Sequence, residues 1–149
     1  MSTYLLSTKS LERWYVNWIE WDGDVLRASA RLEGWTPSAT DGQRFHLSIF
    51  SAREMDAQLA IIGLHLKLGL QRKTAEVWLL KSTEECLAPI TNPDDVRFEM
   101  RFRMHRSGRR RIVTERLGDI RDDRGGHFHL DTRGLMPWNE AWGEAPIDA

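Results

Sequence analysis

Cysteine is almost missing from this chain. Cys86 is the only one in 149 residues, so no internal disulfide framework can form. No apolar run approaches the roughly 20 residues that cross a bilayer. The opening stretch, MSTYLLSTKSLERW, has neither a long apolar core nor a small-residue cleavage site, so no signal peptide is expected. A cytoplasmic protein without membrane contact follows as the expectation. The chain also lacks a Gly-x-Ser-x-Gly elbow, a glycine-rich phosphate loop and a Cys-x-x-Cys pair. His127 and His129 alternate on one predicted strand, but no third ligand stands near them in sequence. No metal and no cofactor is expected. There is no internal repeat. Net charge is only −1, yet residues 97–124 hold ten arginines against five acids. That stretch suits a phosphate-bearing partner or the solvated faces of two strands. Its arginines lack interleaved exposed aromatics, which disfavours a nucleic-acid partner.

What the chain does have is one strongly apolar stretch. Ser51 to Gly69, SAREMDAQLAIIGLHLKLG, reads as a helix of roughly 28 Å, apolar nearly all round and hence expected inside the fold. It should be the largest single source of core burial. Ser51 and Glu54 have the spacing of a capping box. Glu54, Gln58, Ile61, His65 and Leu68 share one stripe. Met55, Leu59, Ile62 and Leu66 form a wholly apolar face, the candidate for packing on a sheet. Ala60 and Gly63, on another side, would admit a close neighbour.

Strands surround this helix. Arg13–Trp21 and Asp24–Glu33 read as a hairpin about Asp22-Gly23. In that register Tyr15, Asn17 and Ile19 join Leu26, Ala28, Ala30 and Leu32 on the core face. Trp14 and Trp18 then stand opposite Arg31 and Arg27 as cation–π pairs. Asn17 is the polar exception on the core face, either a satisfied amide or a substrate contact. Residues 34–43 form a loop and Arg44–Phe50 an extended lead-in. After the helix come strands over Ala75–Leu87, Val96–His105, Arg109–Ile120 and His127–Thr132. Val96–His105 alternates most clearly, while the register of Arg109–Ile120 is not fixed by its pattern. One domain over residues 1–132 is expected, with 133–149 a tail that Trp138 and Trp142 could dock.

Hairpin, loop, one buried helix and about four more antiparallel strands make an α+β order in which the helix covers the sheet. This order resembles the hotdog fold, a curved antiparallel sheet of about 5–7 strands wrapped around one long central helix. Glu54-Met55-Asp56-Ala57-Gln58 is similar to the Glu-x-x-x-Gln at the helix start of hotdog β-hydroxyacyl-ACP dehydratases. Phe50-Ser51-Ala52-Arg53-Glu54 is similar to the Phe-Asn-Ala-x-Glu entrance of long-chain acyl-CoA thioesterases of that superfamily. The histidine of both patterns has no counterpart: Thr40 stands fourteen residues before Glu54, and Ile49 directly precedes Phe50. His46 is the nearest histidine.

The resemblance implies an acyl-thioester enzyme, a thioesterase acting on acyl-CoA or acyl carrier protein thioesters, with a shared site in a homodimer or higher homo-oligomer. The thioester carbonyl would lie at the helix N-terminus, where the amides of Ala52 to Glu54 could hold an oxyanion. Glu54, Asp56, Gln58 and His46 are the catalytic candidates, with either carboxylate as general base. Ser51, Ala52, Arg53, Asn17, Arg101 and Arg103 are the substrate-binding candidates, the last two for CoA phosphates or an acidic carrier. Each has a structural reading beside this one: Glu54 as a cap, Asp56 as a dipole partner, Gln58 as a buried amide, His46 as a strand residue. The alternatives are a dehydratase- or hydratase-like enzyme, or a non-catalytic hotdog module binding a hydrophobic ligand or partner.

Overall fold

The computed structural model describes residues 12–37, 42–69 and 77–138. Ala75 and Trp142, read above as a strand start and a docking residue, lie outside the described residues. Six strands, β1 (Arg13–Asp22), β2 (Val25–Glu33), β3 (Trp78–Ala88), β4 (Val96–Arg106), β5 (Arg111–Arg121) and β6 (His127–Pro137), form one antiparallel sheet. The spatial order is β1-β2-β4-β5-β6-β3. One helix, α1 (Ile49–Lys67), lies against it. The expected architecture is present. β6 runs to Pro137, beyond the expected end at Thr132, and Trp138 behind it is buried.

Alternation fixes the two sheet faces. Along β4, Val96, Phe98, Met100, Phe102 and Met104 are buried under α1, and the arginines between them point the other way. The same period places Ile112, Thr114, Arg116, Gly118 and Ile120 of β5 on the helix-facing side. Three polar or side-chain-free positions sit inside two isoleucines, which is why the pattern of β5 could not be read.

β1 departs from the expected register. Its turn residues are Gly23 and Asp24, because Asp22 pairs with Val25. A bulge between Val16 and Trp18 then leaves Asn17 unpaired and reverses the faces beyond it. Trp14 and Val16 pack on the core, and Tyr15 faces outward with the Arg31 guanidinium 4.8 Å above its ring. The expected Trp14–Arg31 pair is therefore replaced by Tyr15–Arg31.

The helix crosses the sheet diagonally. Its C-terminal half lies on β1 and β2. Trp21 donates from Nε1 to the Gly63 carbonyl at 2.8 Å, and Lys67 Nζ stands 4.4 Å over the Trp21 ring. Its N-terminal half reaches toward β3, where Arg53 pairs with Glu84. Gly69, at φ 67°, ends it. The sheet-facing stripe is Ala52, Met55, Asp56, Leu59, Ala60, Gly63 and Leu64, spaced as one helical face. The small residues Ala60 and Gly63 thus meet the sheet itself. Ile62 and Leu66, expected there, are exposed, as is Phe50 at 76 %. Only Met55, Leu59 and Leu64 are large apolar helix residues buried on this face, so most of the core comes from the strands rather than the helix.

Gly63 sets how closely the helix approaches. A Cβ built there would lie 2.4 Å from Leu26 Cδ2, and Leu26 is wholly buried. Gly63→Ala gains about 1 kcal/mol of helix propensity. Overpacking costs about 1–3 kcal/mol and should win. Urea unfolding is expected to show a net loss that Leu26→Val partly restores. Stabilisation by Gly63→Ala alone would contradict this contact.

Candidate functional site

The helix entrance is built from a neighbouring loop. Asp122 accepts backbone N–H groups from Thr91 and Asn92, at 2.7 and 3.0 Å. That fixes the segment after β3, whose Ile90 carbonyl receives the Leu47 amide at 3.0 Å. Burial disfavours the Asp122 carboxylate, but four backbone N–H groups outweigh it and hold its pKa below the usual value. Phe45 and Leu47 turn into the core, and His46 between them is exposed.

Ser48, not Ser51, is the N-cap. Its backbone is extended and its hydroxyl accepts the Ser51 amide at 3.1 Å. The capping box of Ser51 with Glu54 is therefore absent. The Ala52 amide is spent on the Ser48 carbonyl at 3.0 Å, and those of Arg53 and Glu54 lie inside the helical ladder. The donors left open among the described residues are the amides of Ile49 and Phe50, three and two positions before Ala52. Glu54, released from the capping role, is exposed, and its carboxylate has no partner among the described residues. Gln58 is likewise exposed, one turn on.

Asp56 sits on the opposite side of the helix and is 2 % exposed. Arg116 of β5 donates from Nη2 to its Oδ2 at 2.9 Å and from Nε to Thr132 of β6 at 3.0 Å. Burial pushes the Asp56 carboxyl above its usual range; Arg116 pulls it down, and nearby Glu84 adds to the rise. A carboxylate so enclosed and paired is not placed to activate bulk water. Arg53 binds Glu84 Oε1 at 2.9 Å, and the Ser82 hydroxyl donates to the same oxygen. Arg116, Thr132, Ser82 and Glu84 did not stand out in the sequence; the one available signal was the polar interior of β5 between Ile112 and Ile120.

Other candidates lie elsewhere. Arg101 and Arg103 are on the outer face of β4, turned away from α1, so they do not join the helix entrance. Asn17, at the bulge of β1, donates to Ser29 at 3.0 Å and accepts from Arg31 at 3.1 Å. It is a satisfied outer-face amide, not a core-face contact. His65 faces the Ile61 carbonyl at 2.8 Å, near the far end of the helix. His127 and His129 both meet Asp119 Oδ1, at 2.6 and 3.3 Å. Burial opposes the Asp119 charge, but these two hydrogen bonds and Arg121 hold its pKa below the usual value. Among the described residues no group of three is arranged to hold a metal ion.

The Asp56–Arg116 pair makes a pH-dependent prediction. Asp56→Asn strands a buried guanidinium, at about 3–5 kcal/mol. Arg116→Met removes the only influence lowering the Asp56 pKa. A carboxyl whose folded pKa lies above its unfolded value of about 3.9 adds its full stability below that value and loses it as pH rises toward the folded pKa. Arg116→Met should therefore be most stable near about pH 4 and weaken toward neutrality. The double variant Asp56→Asn/Arg116→Met should show a much flatter profile in urea melts. Parallel profiles for the two would remove the ionised Asp56 as the cause.

No protein-family model and no curated protein matches the chain. Solved structures do. The protein OLEI01261 from Chlorobaculum tepidum, of unknown function, superposes with a TM-score of 0.58 at 11% identity, over 93% of this chain and 90% of that one. A mutant thioesterase, PA1618 from Pseudomonas aeruginosa, gives 0.51 at 16% identity, over 91% and 93%. The conserved protein PA5202 from the same organism gives 0.51 at 10% identity, over 92% and 94%. The likeness is one of fold, and the fold of this chain is the hotdog fold, shared with a solved thioesterase.

Proposed function

We propose that the chain hydrolyses acyl thioesters of coenzyme A or of an acyl carrier protein, and that it does so as a homodimer. The observation that carries this reading is the helix entrance. The open amides of Ile49 and Phe50 and the positive end of α1 stand within about a turn of Glu54, an exposed carboxylate with no partner among the described residues. Such donors favour the oxyanion that forms when water adds to the thioester carbon. Glu54 takes the proton from that water, and Gln58 orients it. Collapse of the tetrahedral oxyanion breaks the carbon–sulfur bond and releases the thiol, with the proton returned to sulfur. Asp56 is excluded from the base role by its pairing with Arg116. His46, exposed just before the N-cap, is placed for a supporting role rather than as base.

What one copy leaves open supports the dimer. Phe50, Glu54, Gln58, Ile62 and Leu66 form one exposed i, i+4 ridge on α1. Beside it, β3 is an edge strand with no neighbour on its outer side among the described residues. Trp78, Leu79, Leu80 and Leu87 on it are each at least half exposed. Edge strands are usually protected by charge or cover; an apolar one favours pairing with a second copy. That pairing would bring two helix entrances together and give the acyl chain an apolar bed.

Free-thiol release from acyl-CoA and acyl-pantetheine thioesters tests the chemistry. Glu54→Gln should lower kcat by about 10²–10⁴-fold with the fold retained. Full rate in that variant overturns the assignment of the base. No release from any thioester, with ligand still bound, would make the chain a binding module. Leu80 and Leu87 lie at two bulges of β3. Leu80→Lys/Leu87→Lys should convert a dimer into a folded, inactive monomer by sedimentation. A wild-type monomer with full activity would remove the shared site.

A further inference from the structure

The helix-facing surface of the sheet has two chemistries. On β2 and β4 it is apolar, with Leu26, Ala28, Phe98, Met100 and Phe102 in its central rows. On β5, β6 and β3 the corresponding positions are Thr114, Arg116, Thr132, Ser82 and Glu84. Most of these groups are paired with one another, but a plain hydrocarbon chain laid on the band would offer nothing to the polar groups that are not.

Hydrogen-bonding capacity in the band is also unspent. Thr114 is 0 % exposed and its hydroxyl has no partner among the described residues. Arg116 uses Nε and Nη2, and its Nη1 has no partner among the described residues. Asp56 uses Oδ2 alone, while Oδ1 lies over Gly118, 3.4 Å from where a Cβ would be. Thr114 Oγ1 sits over Gly134, where a Cβ would come within 3.0 Å of it and within 2.9 Å of Val77, at the start of β3. Thr114 is the inward position two residues before Arg116 on β5, so the unpartnered hydroxyl and the guanidinium share one row of the helix-facing side. Buried polar groups are nearly always paired, and an unpaired one calls for a ligand or water.

We propose that the acyl group taken up here carries an oxygen function, as a hydroxy- or oxo-acyl thioester, received by the Thr114 hydroxyl and the unspent N–H groups of Arg116. The oxygen is neutral rather than a carboxylate, because Asp56 already neutralises Arg116 and a second anion would lie beside it unpaired. This assignment rests on the thioester reading above and narrows its substrate class.

Thioether analogues, which cannot be hydrolysed, separate the two. Hexyl-CoA is compared by calorimetry with hexyl-CoA thioethers bearing a hydroxyl at carbon 3, 4, 5 or 6. At least one hydroxylated analogue should bind about tenfold more tightly than hexyl-CoA, the value of one buried hydrogen bond. Thr114→Val, which keeps the shape, should erase that preference without lowering Tm. Equal binding of all analogues, as when the niche holds only water, overturns the assignment while thiol release from thioesters still stands. A preference that survives Thr114→Val also overturns it. Absence of both binding and thioester cleavage removes the assignment together with the hydrolase reading.

Discussion

The ion pair between Asp56 and Arg116 governs how the helix sits. Among the described residues it is the one place where α1 reaches the middle of the sheet through charge rather than through apolar contact. Two charges out of water are poor stabilisers, since desolvation takes back most of their attraction. Their use is positional. A helix resting on leucine and methionine alone can slide or rotate by a residue at little cost, whereas a stranded guanidinium forbids it. Gly118 beneath Asp56 and Gly63 above Leu26 then set the height at two points along the same axis. Position, tilt and rotation of α1 are fixed together.

The rest of the site follows from that placement. With its C-terminal half held on β1 and β2 by Trp21 and Lys67, the helix must end its diagonal near β3. Its first turn is therefore delivered to the open edge of the sheet, where Arg53 finds Glu84. The loop after β3 meets it there and anchors Leu47 just before the cap. The ridge from Phe50 to Leu66 is left facing outward by the same rotation that buries Asp56. An exposed apolar ridge beside an unpaired apolar edge is a surface that calls for a second surface.

Much of this was legible in the sequence, and the failures have physical reasons. The order of elements, the alternation of Val96–His105 and the helix itself were clear, because period 2 and an unbroken apolar run leave little choice. The face of the helix was misjudged because hydrophobicity pointed to Ile62 and Leu66. Close packing instead favoured Ala60 and Gly63, whose small size admits the sheet. The cap was misplaced by one turn, since Ser48 and Ser51 both stand before plausible helix starts and only backbone geometry separates them. Asn17 was put in the core because a bulge has no mark in the sequence of β1. Arg116 was lost among the arginines of 97–124, where composition cannot tell the one turned inward from its neighbours turned out. The same composition gave no sign that Arg101 and Arg103 lie on the outer face of β4, away from α1.

Two carboxylates on one helix, separated by a single residue, have been given opposite environments. Asp56 is buried and paired; Glu54 is exposed and, among the described residues, unpaired, as are the amides of Ile49 and Phe50. The helical period does it here without further machinery: residues two apart point about 200° from each other, so pinning one into the sheet turns the other out. The rotation that the buried pair enforces is therefore the same rotation that presents Glu54 at the entrance. Loosening Asp56 would unsettle the direction of Glu54 even though the two side chains never meet.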